Sequence, residues 1–446
     1  MAEGEHCRYY RGLEIMTDLC VGCSHCMKVC PTEALRVKGG KAVIHSDLCI
    51  DCGRCYRECP TNAIRVVDDD FDHIFGYKHR LLLVPSLFYS QFEDRIEMNE
   101  INRIIGSLGF TEVSPVELGV DYLIEEMNRY IEEAPADSRP VISSYCPAIV
   151  RLIQVRFPSL VDNIMTLLPP LEITAQYYKS KYRDAGIPEE DLGIFYLTPC
   201  VAKIAAVKDP VGGYVSPITG AINMDLLYSK VMMVHRNHSC TENNIRINEE
   251  ITSNAIRWST TRGETNAIRG VALAIDGMDN VMEFLEKVEN GDIEGVDFLE
   301  LRCCDESCSG GILVRGNRFL VADGLHKRAS TAPWVNPYIK DFRKYCADYM
   351  VFTRVQPRAF MKYGRDIKEA IRKMEEVRNL KHTLPGIDCG ACGSPNCEAL
   401  AGDIVNGERN INNCVFMQIA NERRGTLNVD EAIALMEEIW GKRYDY

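Results

Sequence analysis

The chain has 446 residues, 46% of them hydrophobic and 26% charged, with a formal net charge of -13. That length exceeds what one hydrophobic core usually serves and implies about two to four domains; the acidic balance excludes a general binder of nucleic acid or anionic membranes and leaves proteins and small molecules as partners. The first thirty residues hold no apolar signal core and no later run reaches membrane-spanning length, so neither export nor membrane insertion is encoded and the expected compartment is the cytoplasm.

Twenty cysteines would be out of place as disulfides in that reducing compartment, and metal ligation is the better reading. Eight fall between Cys20 and Cys59 and four between Cys389 and Cys414, so each end carries a cysteine-rich module with a further group between. The expected boundaries are residues 1–76, 77–358, a connecting helix over 359–382, and 383–446.

In the first module residues 20 to 31 read C-x-x-C-x-x-C-x-x-x-C-P (Cys20, Cys23, Cys26, Cys30, Pro31), and residues 49 to 60 repeat the pattern with Cys49, Cys52, Cys55, Cys59 and Pro60. Short gaps let three thiolates of one loop grip three corners of a cubane, while the last cysteine of each run reaches the other cluster. Cys20, Cys23, Cys26 and Cys59 would hold one 4Fe-4S cluster, and Cys49, Cys52, Cys55 and Cys30 a second. Between the runs, Ala34 to Val37, Gly39-Gly40 and Lys41 to His45 predict a hairpin whose glycines take positive φ. The duplication resembles bacterial two-cluster ferredoxins; a zinc site is the competing reading, and two complete copies, each closed by proline, argue against it.

From about residue 78 to residue 358 β-rich runs are each followed by a helical segment, the pattern of parallel sheets flanked by helices. Four runs end in unusual chemistry: Leu81 to Val84 leads into Pro85-Ser86, Val141 to Ser144 into Tyr145-Cys146-Pro147, Gly193 to Thr198 into Pro199-Cys200, and Gly295 to Leu301 into the stretch from Cys303 to Gly311. Ligands of open α/β sheets gather at the carboxyl ends of strands, so these loops are expected to converge, and Cys146, Cys200, Cys304 and Cys308 would then ligate a cubane.

At the other end residues 388 to 397 read Asp-Cys-Gly-Ala-Cys-Gly-Ser-Pro-Asn-Cys, and Cys414 follows a helix-like stretch from Glu398 to Asn406. Cys389, Cys392, Cys397 and Cys414 suffice for one more cubane, with Gly390 and Gly393 allowing close backbone approach and Pro385-Gly386 setting the entry turn. This resembles the small iron-sulfur domain of membrane electron-transfer complexes. A zinc ribbon is the alternative, against which the gap before Cys397 counts. Upstream, Ile367, Ala370, Ile371, Met374, Val377 and Leu380 predict an amphipathic connecting helix over Arg365 to Leu380. Downstream, Asp430 is the expected cap of a last helix with Ala432, Leu435, Met436, Ile439 and Trp440 on one side. Both helices are expected to pack on the chain's own core.

Taken together, Ser-Ser-Tyr-Cys-Pro at 143 to 147, Thr-Pro-Cys-Val-Ala-Lys at 198 to 203 and Glu300 through Gly311 resemble the three H-cluster loops of iron-only (FeFe) hydrogenases. The terminal modules are similar to those of members classed as sensory. The resemblance implies a multidomain α/β chain: an N-terminal α+β two-cluster ferredoxin domain, a central two-lobed α/β H-domain with parallel sheets, and a small, mostly helical C-terminal iron-sulfur domain. It implies four 4Fe-4S clusters and a diiron subsite with CO, cyanide and dithiolate ligands, delivered by maturation proteins. Cys146, Cys200 and Cys304 would bind only the cubane and Cys308 would also bridge to the diiron subsite. Lys203 and the backbone N–H of Ser86, after Pro85, would donate to the cyanides, and Gln176 would be another polar neighbour. The plainer readings are a solvated helix lysine for Lys203 and no site role for Gln176.

Departures bear on the activity implied. Tyr145 stands where active hydrogenases pass protons through a cysteine, and a phenol of pKa about 10 is a poorer donor and acceptor near neutrality than a thiol of about 8.5. Further along that relay Glu126 is retained, but Arg129 and Pro170 stand in for an acidic residue and a serine. Thr198 and Arg302 replace two methionines beside the diiron unit, which should shift its potential and hydrogen bonding. A lost general acid typically costs roughly 100- to 10,000-fold. The implied function is therefore H2 sensing with slow, reversible H2 oxidation and proton reduction, reported through three accessory clusters to a redox or signalling partner such as a kinase, a phosphatase or a ferredoxin. The alternatives are a ferredoxin-linked catalytic hydrogenase and a non-enzymatic electron-transfer or iron-sulfur assembly protein without the diiron subsite. Cys7, Cys240 and Cys346 read as buried thiols, His235 and His238 as a polar loop, and Cys303 receives no role.

Overall fold

The structure is a computed structural model and describes residues 9–238, 245–247, 250–358, 363 and 367–441. Cys7 and Cys240 lie outside the described residues, as do the first residues of the predicted connecting helix. The chain divides into two compact units, Met1–Val67 with Pro357–Tyr446, and Asp68–Gln356. The two cysteine-rich ends of the sequence thus build one unit.

In that unit β1 (Leu13–Ile15) will pair with the last of four strands. Between them β2 (Leu35–Lys38) and β3 (Lys41–Ile44) form an antiparallel hairpin in which Lys38 faces Lys41. The two-residue turn needs positive φ at both positions, and Gly39 (58°) and Gly40 (71°) supply it. β4 (Ile64–Val66) then returns antiparallel to β1, and Leu13, Val37, Ile50 and Ile64 make the core between. The duplication in sequence is a duplication in structure. The short helices His25–Lys28 and Arg54–Arg57 each follow a left-handed residue, Ser24 (φ 66°) and Gly53 (φ 78°).

The C-terminal part of this unit is helical: Ile367–Thr383, Cys397–Val405, Val415–Arg423 and Val429–Trp440. The predicted cap Asp430 is not the cap. Asn428, two residues earlier, accepts from the Glu431 N–H at 2.8 Å while Glu431 returns to the Asn428 N–H at 3.2 Å, a reciprocal capping box that a lone aspartate inside the first turn cannot match. The last helix buries Ala432 and Ile439, and Trp440 donates through Nε1 to Ala391 O at 2.9 Å, so it packs within its own unit. One buried ion pair stitches the ends of the chain together. Arg36 binds Asp403 through Nε (2.6 Å) and Nη2 (2.8 Å), and Ser394 Oγ donates to the same carboxylate at 2.6 Å.

The second unit holds eight strands among the described residues. β5 (His79–Val84), β6 (Glu112–Pro115), β7 (Val141–Ile142), β8 (Leu192–Thr198), β9 (Gly220–Asn223), β10 (Arg246–Ile247), β11 (Ala272–Asp276) and β12 (Phe298–Arg302) run in chain order. They form two parallel sheets, one ordered β10-β6-β5-β8-β9 and one ordered β11-β12-β7. Central strands of parallel sheets are covered on both faces, which is why β5 and β8 read as continuous apolar runs and not as alternation. Two predicted strands are shorter than expected. The last begins at Phe298 and not at Gly295, whose φ of 70° is incompatible with a strand; the run from Val141 pairs only through Ile142. The four chemistry-bearing loops therefore leave two sheets: β5 and β8 carry Pro85-Ser86 and Pro199-Cys200, while β7 and β12 carry Tyr145-Cys146 and Cys303 to Cys308. Among the described residues no helix is long and apolar enough to cross a membrane.

Breaking a buried pair by removing one partner typically costs about 3–5 kcal/mol because it strands the other charge. Asp403→Ala is expected to lower the unfolding free energy by that amount in anaerobic urea titrations, whereas a loss below about 1 kcal/mol, the level of an exposed pair, would show that Arg36 finds water instead.

Candidate metal centres

The eighteen described cysteines form no disulfide. In the first unit eight of them separate into two cavities of near-equal size. One is lined by Cys20, Cys23, Cys26 and Cys59 with Ile15, Ala42 and Ile64; the other by Cys30, Cys49, Cys52 and Cys55 with Leu13, Leu35 and Ile44. Each run thus lends its last cysteine to the other group. Backbone amides point at the sulfurs: Ala34 to Cys30 and Ala63 to Cys59 at 3.2 Å, and Ala42 to Cys20 at 3.3 Å. Such donors favour thiolate and shape the potential of a bound cluster. Burial, followed by the charges of Cys20, Cys23 and Cys59, pushes the Cys26 thiol up to about 12. Thiolates so crowded need a cationic core among them. Two apolar cavities with four sulfurs and inward amides fit two cubanes.

The C-terminal set is built differently. Cys392, Cys397 and Cys414 are buried in one apolar cluster with Val377, Leu384, Leu400 and Ala401, and Cys389 lies exposed at its edge. Burial raises the Cys392 thiol and the neighbouring Cys414 and Cys389 raise it further. Asp388, at φ 53°, turns the loop and accepts from the Cys397 N–H at 2.8 Å. This donor set also fits a single cubane.

In the second unit Cys146 and Cys200 sit at the N-caps of the helices Pro147–Arg156 and Val201–Lys208, where free amides and the helix dipole favour a thiolate. Cys304 and Cys308 flank a tight turn with Glu306 and Ser307 at φ 59° and 51°. A β-carbon on Gly310 would fall 2.0 Å from Asp305 O and one on Gly311 2.5 Å from Pro199 O, so the two glycines let this turn fold upon itself and against the Cys200 loop. The four sulfurs share one environment. Burial raises both Cys146 and Cys200, and Cys304 and Cys308 raise each of them further. A backbone hydrogen bond from Cys303 favours the Cys146 thiolate, which gives that position a contact through its main chain.

Beside Cys308 the side chains are charged and buried. Lys203 Nζ donates to Tyr145 Oη at 3.2 Å and lies 3.8 Å from Cys308 Sγ, which is itself 3.9 Å from the phenol oxygen. Lys203 and Arg302 both lie over the Tyr145 ring, at 4.3 and 4.1 Å from its centre. Burial opposes the charge of Lys203, yet Cys308 and Tyr145 hold its pKa well above the ordinary lysine value. Burial also lifts the Tyr145 phenol well above its usual value, with Cys308 adding and both cations opposing. Arg302 is compensated by Glu264 at 2.9 Å and Glu300 at 3.5 Å, and Ser143 joins this group by donating to Glu264 at 2.8 Å while accepting the Tyr145 N–H at 3.1 Å. Two buried cations against one sulfur fit an anionic group at Cys308.

The other expected neighbours have partners within the chain. The Ser86 N–H, expected to face a cyanide, donates to Glu117 at 3.0 and 3.2 Å, and Ser86 Oγ donates to the same carboxylate at 3.1 Å. Pro85 precedes it as the last residue before a 3-10 turn. Gln176 spends its amide on Ser180 Oγ, 3.3 Å away along the helix Pro170–Asp184. Thr198 Oγ1 donates to Cys200 O at 2.8 Å and so shapes the cysteine loop. Glu126 pairs at 2.9 Å with the exposed Arg129, and Pro170 begins the helix that carries Gln176. His235 Nδ1 lies 2.7 Å from Glu100, and Cys346 is fully buried with its S–H toward Ile173 O. Sequence reasoning missed Glu117, Glu264 and Glu300. Glu117, in Ser-Pro-Val-Glu-Leu-Gly just after β6, had a findable signal: an acid in an otherwise apolar run at the carboxyl end of a parallel strand.

Comparison with known proteins matches residues 85–211 to the model of the iron only hydrogenase large subunit, C-terminal domain, residues 13–60 to a 4Fe-4S dicluster domain, and residues 384–416 to an Fe-S cluster family. The NADP-reducing hydrogenase subunit HndD of Solidesulfovibrio fructosivorans is 30% identical over 105 residues, which are 22% of this chain and 18% of that relative's length. Two variant structures of [FeFe]-hydrogenase HydA1 from Chlamydomonas reinhardtii cover 63% of this chain and 95% of theirs, with TM-scores of 0.48 and 0.47 at 15% and 14% identity.

Glu117 is 1% exposed, and burial lifts its carboxyl to about 7 against the opposing bonds from Ser86 and the charge of Lys203. The folded state thus holds this proton more tightly than the unfolded chain, so the stability it contributes is complete below the unfolded carboxyl value and is lost as pH rises through 7. Glu117→Gln should remove that loss, a gain over the parent of up to roughly 3 kcal/mol that grows between about pH 5 and pH 8. Parallel urea midpoints for the two proteins over that range would refute it.

Proposed function

We propose that this chain, an FeFe-hydrogenase-like iron-sulfur protein by its family matches, is a sensory hydrogenase. It would take H2 and protons as substrates, turn them over slowly and reversibly, and pass electrons through three accessory 4Fe-4S clusters to a redox or signalling protein. The observation that carries this reading is the triangle of Lys203, Tyr145 and Cys308, with sides of 3.2, 3.8 and 3.9 Å. A buried ammonium needs an anionic partner, and an anionic cofactor on Cys308 would supply one. A cubane on Cys146, Cys200, Cys304 and Cys308, extended by a diiron subsite, supplies the H2 and electron chemistry when bound.

Around it the chain's own residues hold charge and withhold protons. Lys203 sets a positive charge beside Cys308. Tyr145 Oη occupies the place of a proton courier, and its raised pKa keeps it a neutral donor of low acidity. Glu264 and Glu300 neutralise Arg302, so its charge persists in a dry interior. Slow proton delivery suits detection, because occupancy and redox state then outlast a single encounter. Cysteine groups near the ends of the chain would carry the signal outward.

A second reading is favoured by one contact. With the Ser86 N–H on Glu117, a donor expected for a cyanide is already engaged, as it would be in an electron-transfer or assembly protein holding only the cubane. Infrared spectra of anaerobically purified, diiron-matured protein under H2 and then argon separate the two. CO and CN bands that shift reversibly with H2 are expected; no such bands after maturation would leave the second reading. Restoring the missing courier gives an independent check. Tyr145→Cys should raise H2 evolution by roughly 100-fold or more, the lower range for a positioned general acid, and an unchanged rate would place the limit elsewhere.

A further inference from the structure

The C-terminal cysteine loop and the first ferredoxin-like group meet across a single ribbon. On β3 the Ala42 N–H donates to Cys20 Sγ at 3.3 Å. Directly opposite Ala42 in the hairpin is Val37 on β2, whose N–H donates to Gly393 O at 2.8 Å, and Gly393 is the residue after Cys392. In an antiparallel ribbon, amides of a facing couple that do not bond each other point out of opposite edges. Cys20 and the Cys392 loop therefore flank the same residue pair, across strands about 4.8 Å apart. A second contact runs beside the ribbon: a β-carbon on Gly390, between Cys389 and Cys392, would lie 3.2 Å from the methyl carbon of Met27, which follows Cys26 and is 2% exposed.

The approach is held on every side. Val37 O accepts from Arg409 Nη2 at 2.8 Å, and the turn amides of Gly39 and Gly40 donate to Glu438 O and Ile439 O at 2.8 and 2.9 Å. The Arg36–Asp403 pair and Ser394 bury a charged clamp one residue from Val37 and one from Gly393.

We propose that the set Cys389, Cys392, Cys397, Cys414 and the set Cys20, Cys23, Cys26, Cys59 hold a directly coupled pair of clusters. Met27 and the Val37–Ala42 couple form the contact between them, and the Arg36–Asp403 clamp is the positioning element. The inference rests on the proposed reading of both sets as cluster ligands. Transfer between the two moves one electron, oxidising one cluster as the other is reduced, and makes or breaks no bond. Tunnelling and magnetic interaction both fall steeply with separation, so a contact of this kind makes the C-terminal cluster an integral stage of the electron chain that includes the first group.

The test is electron paramagnetic resonance of the anaerobic, fully reduced holoprotein, with iron and acid-labile sulfide counted, beside a Cys397→Ser/Cys414→Ser variant that lacks the C-terminal cluster. Subtracting the variant from the parent should leave a signal broadened by spin coupling and relaxing faster than an isolated cubane, and Arg36→Gln should lose much of that broadening at unchanged iron content. A narrow, slowly relaxing difference signal overturns the coupling. Equal iron in parent and cysteine variant overturns instead the ligand reading beneath it. The difference spectrum and the Arg36→Gln comparison each decide alone should the other variant fail to fold.

Discussion

Burial of crowded cysteine sulfurs is the constraint on which this molecule depends. Four cysteines turned into one small, dry space cannot all ionise unless a positive core stands between them. The fold commits two groups in the first unit and one beside Cys308 to that condition, and a fourth with three of its cysteines buried and Cys389 exposed. Cys26, Cys49, Cys55, Cys146, Cys200 and Cys392 are all raised by burial, and neighbouring sulfurs raise each of them further. What the chain supplies in return is rigidity and dipoles: left-handed residues that begin short helices, helix N-caps under Cys146 and Cys200, and strand amides aimed at Cys20, Cys30 and Cys59. Apo protein should accordingly be loose where the holoprotein is firm, since cluster binding and folding draw on the same free energy.

Much of this was legible in the cysteine spacing, and for a physical reason. A cluster demands several thiolates at fixed separations, and short gaps can only satisfy it locally, so the exchange of Cys30 and Cys59 between groups follows from the repeat. The hairpin at Gly39-Gly40 was legible because two consecutive positive φ angles admit few other residues. The last helix was readable in extent but not in its cap, since Asn428 and Asp430 are both good caps and only the return bond from Glu431 decides between them. Glu117 was marked only as an acid in an apolar run after a strand, and Glu264 and Glu300 could not be assigned from local pattern. Glu117 meets Ser86, Glu264 meets Ser143 and Arg302, and Glu300 accepts the Glu264 N–H, and such long-range pairing leaves no periodic trace. The union of both chain ends in one unit was equally invisible, because Arg36 and Asp403 are 367 residues apart.

The centre beside Cys308 concentrates charge in a small, dry space. Lys203 and Arg302 place two cations on the Tyr145 ring, and Glu264 with Glu300 balances one of them. Charges so desolvated interact far more strongly than at a surface and cannot reorganise cheaply. Such an arrangement holds its charges at fixed positions.

Tyr145 has one more consequence, for durability. A thiol in that place would sit on the ladder from sulfenic to sulfinic and sulfonic acid, or condense with the neighbouring Cys146 sulfur when its metal is lost. A phenol enters none of these states. Packed at 8% exposure against Trp258 and two cations, it removes one oxidisable group from the wall of the site and leaves the buried Cys303, next to Cys304, as the neighbour on which such chemistry would fall.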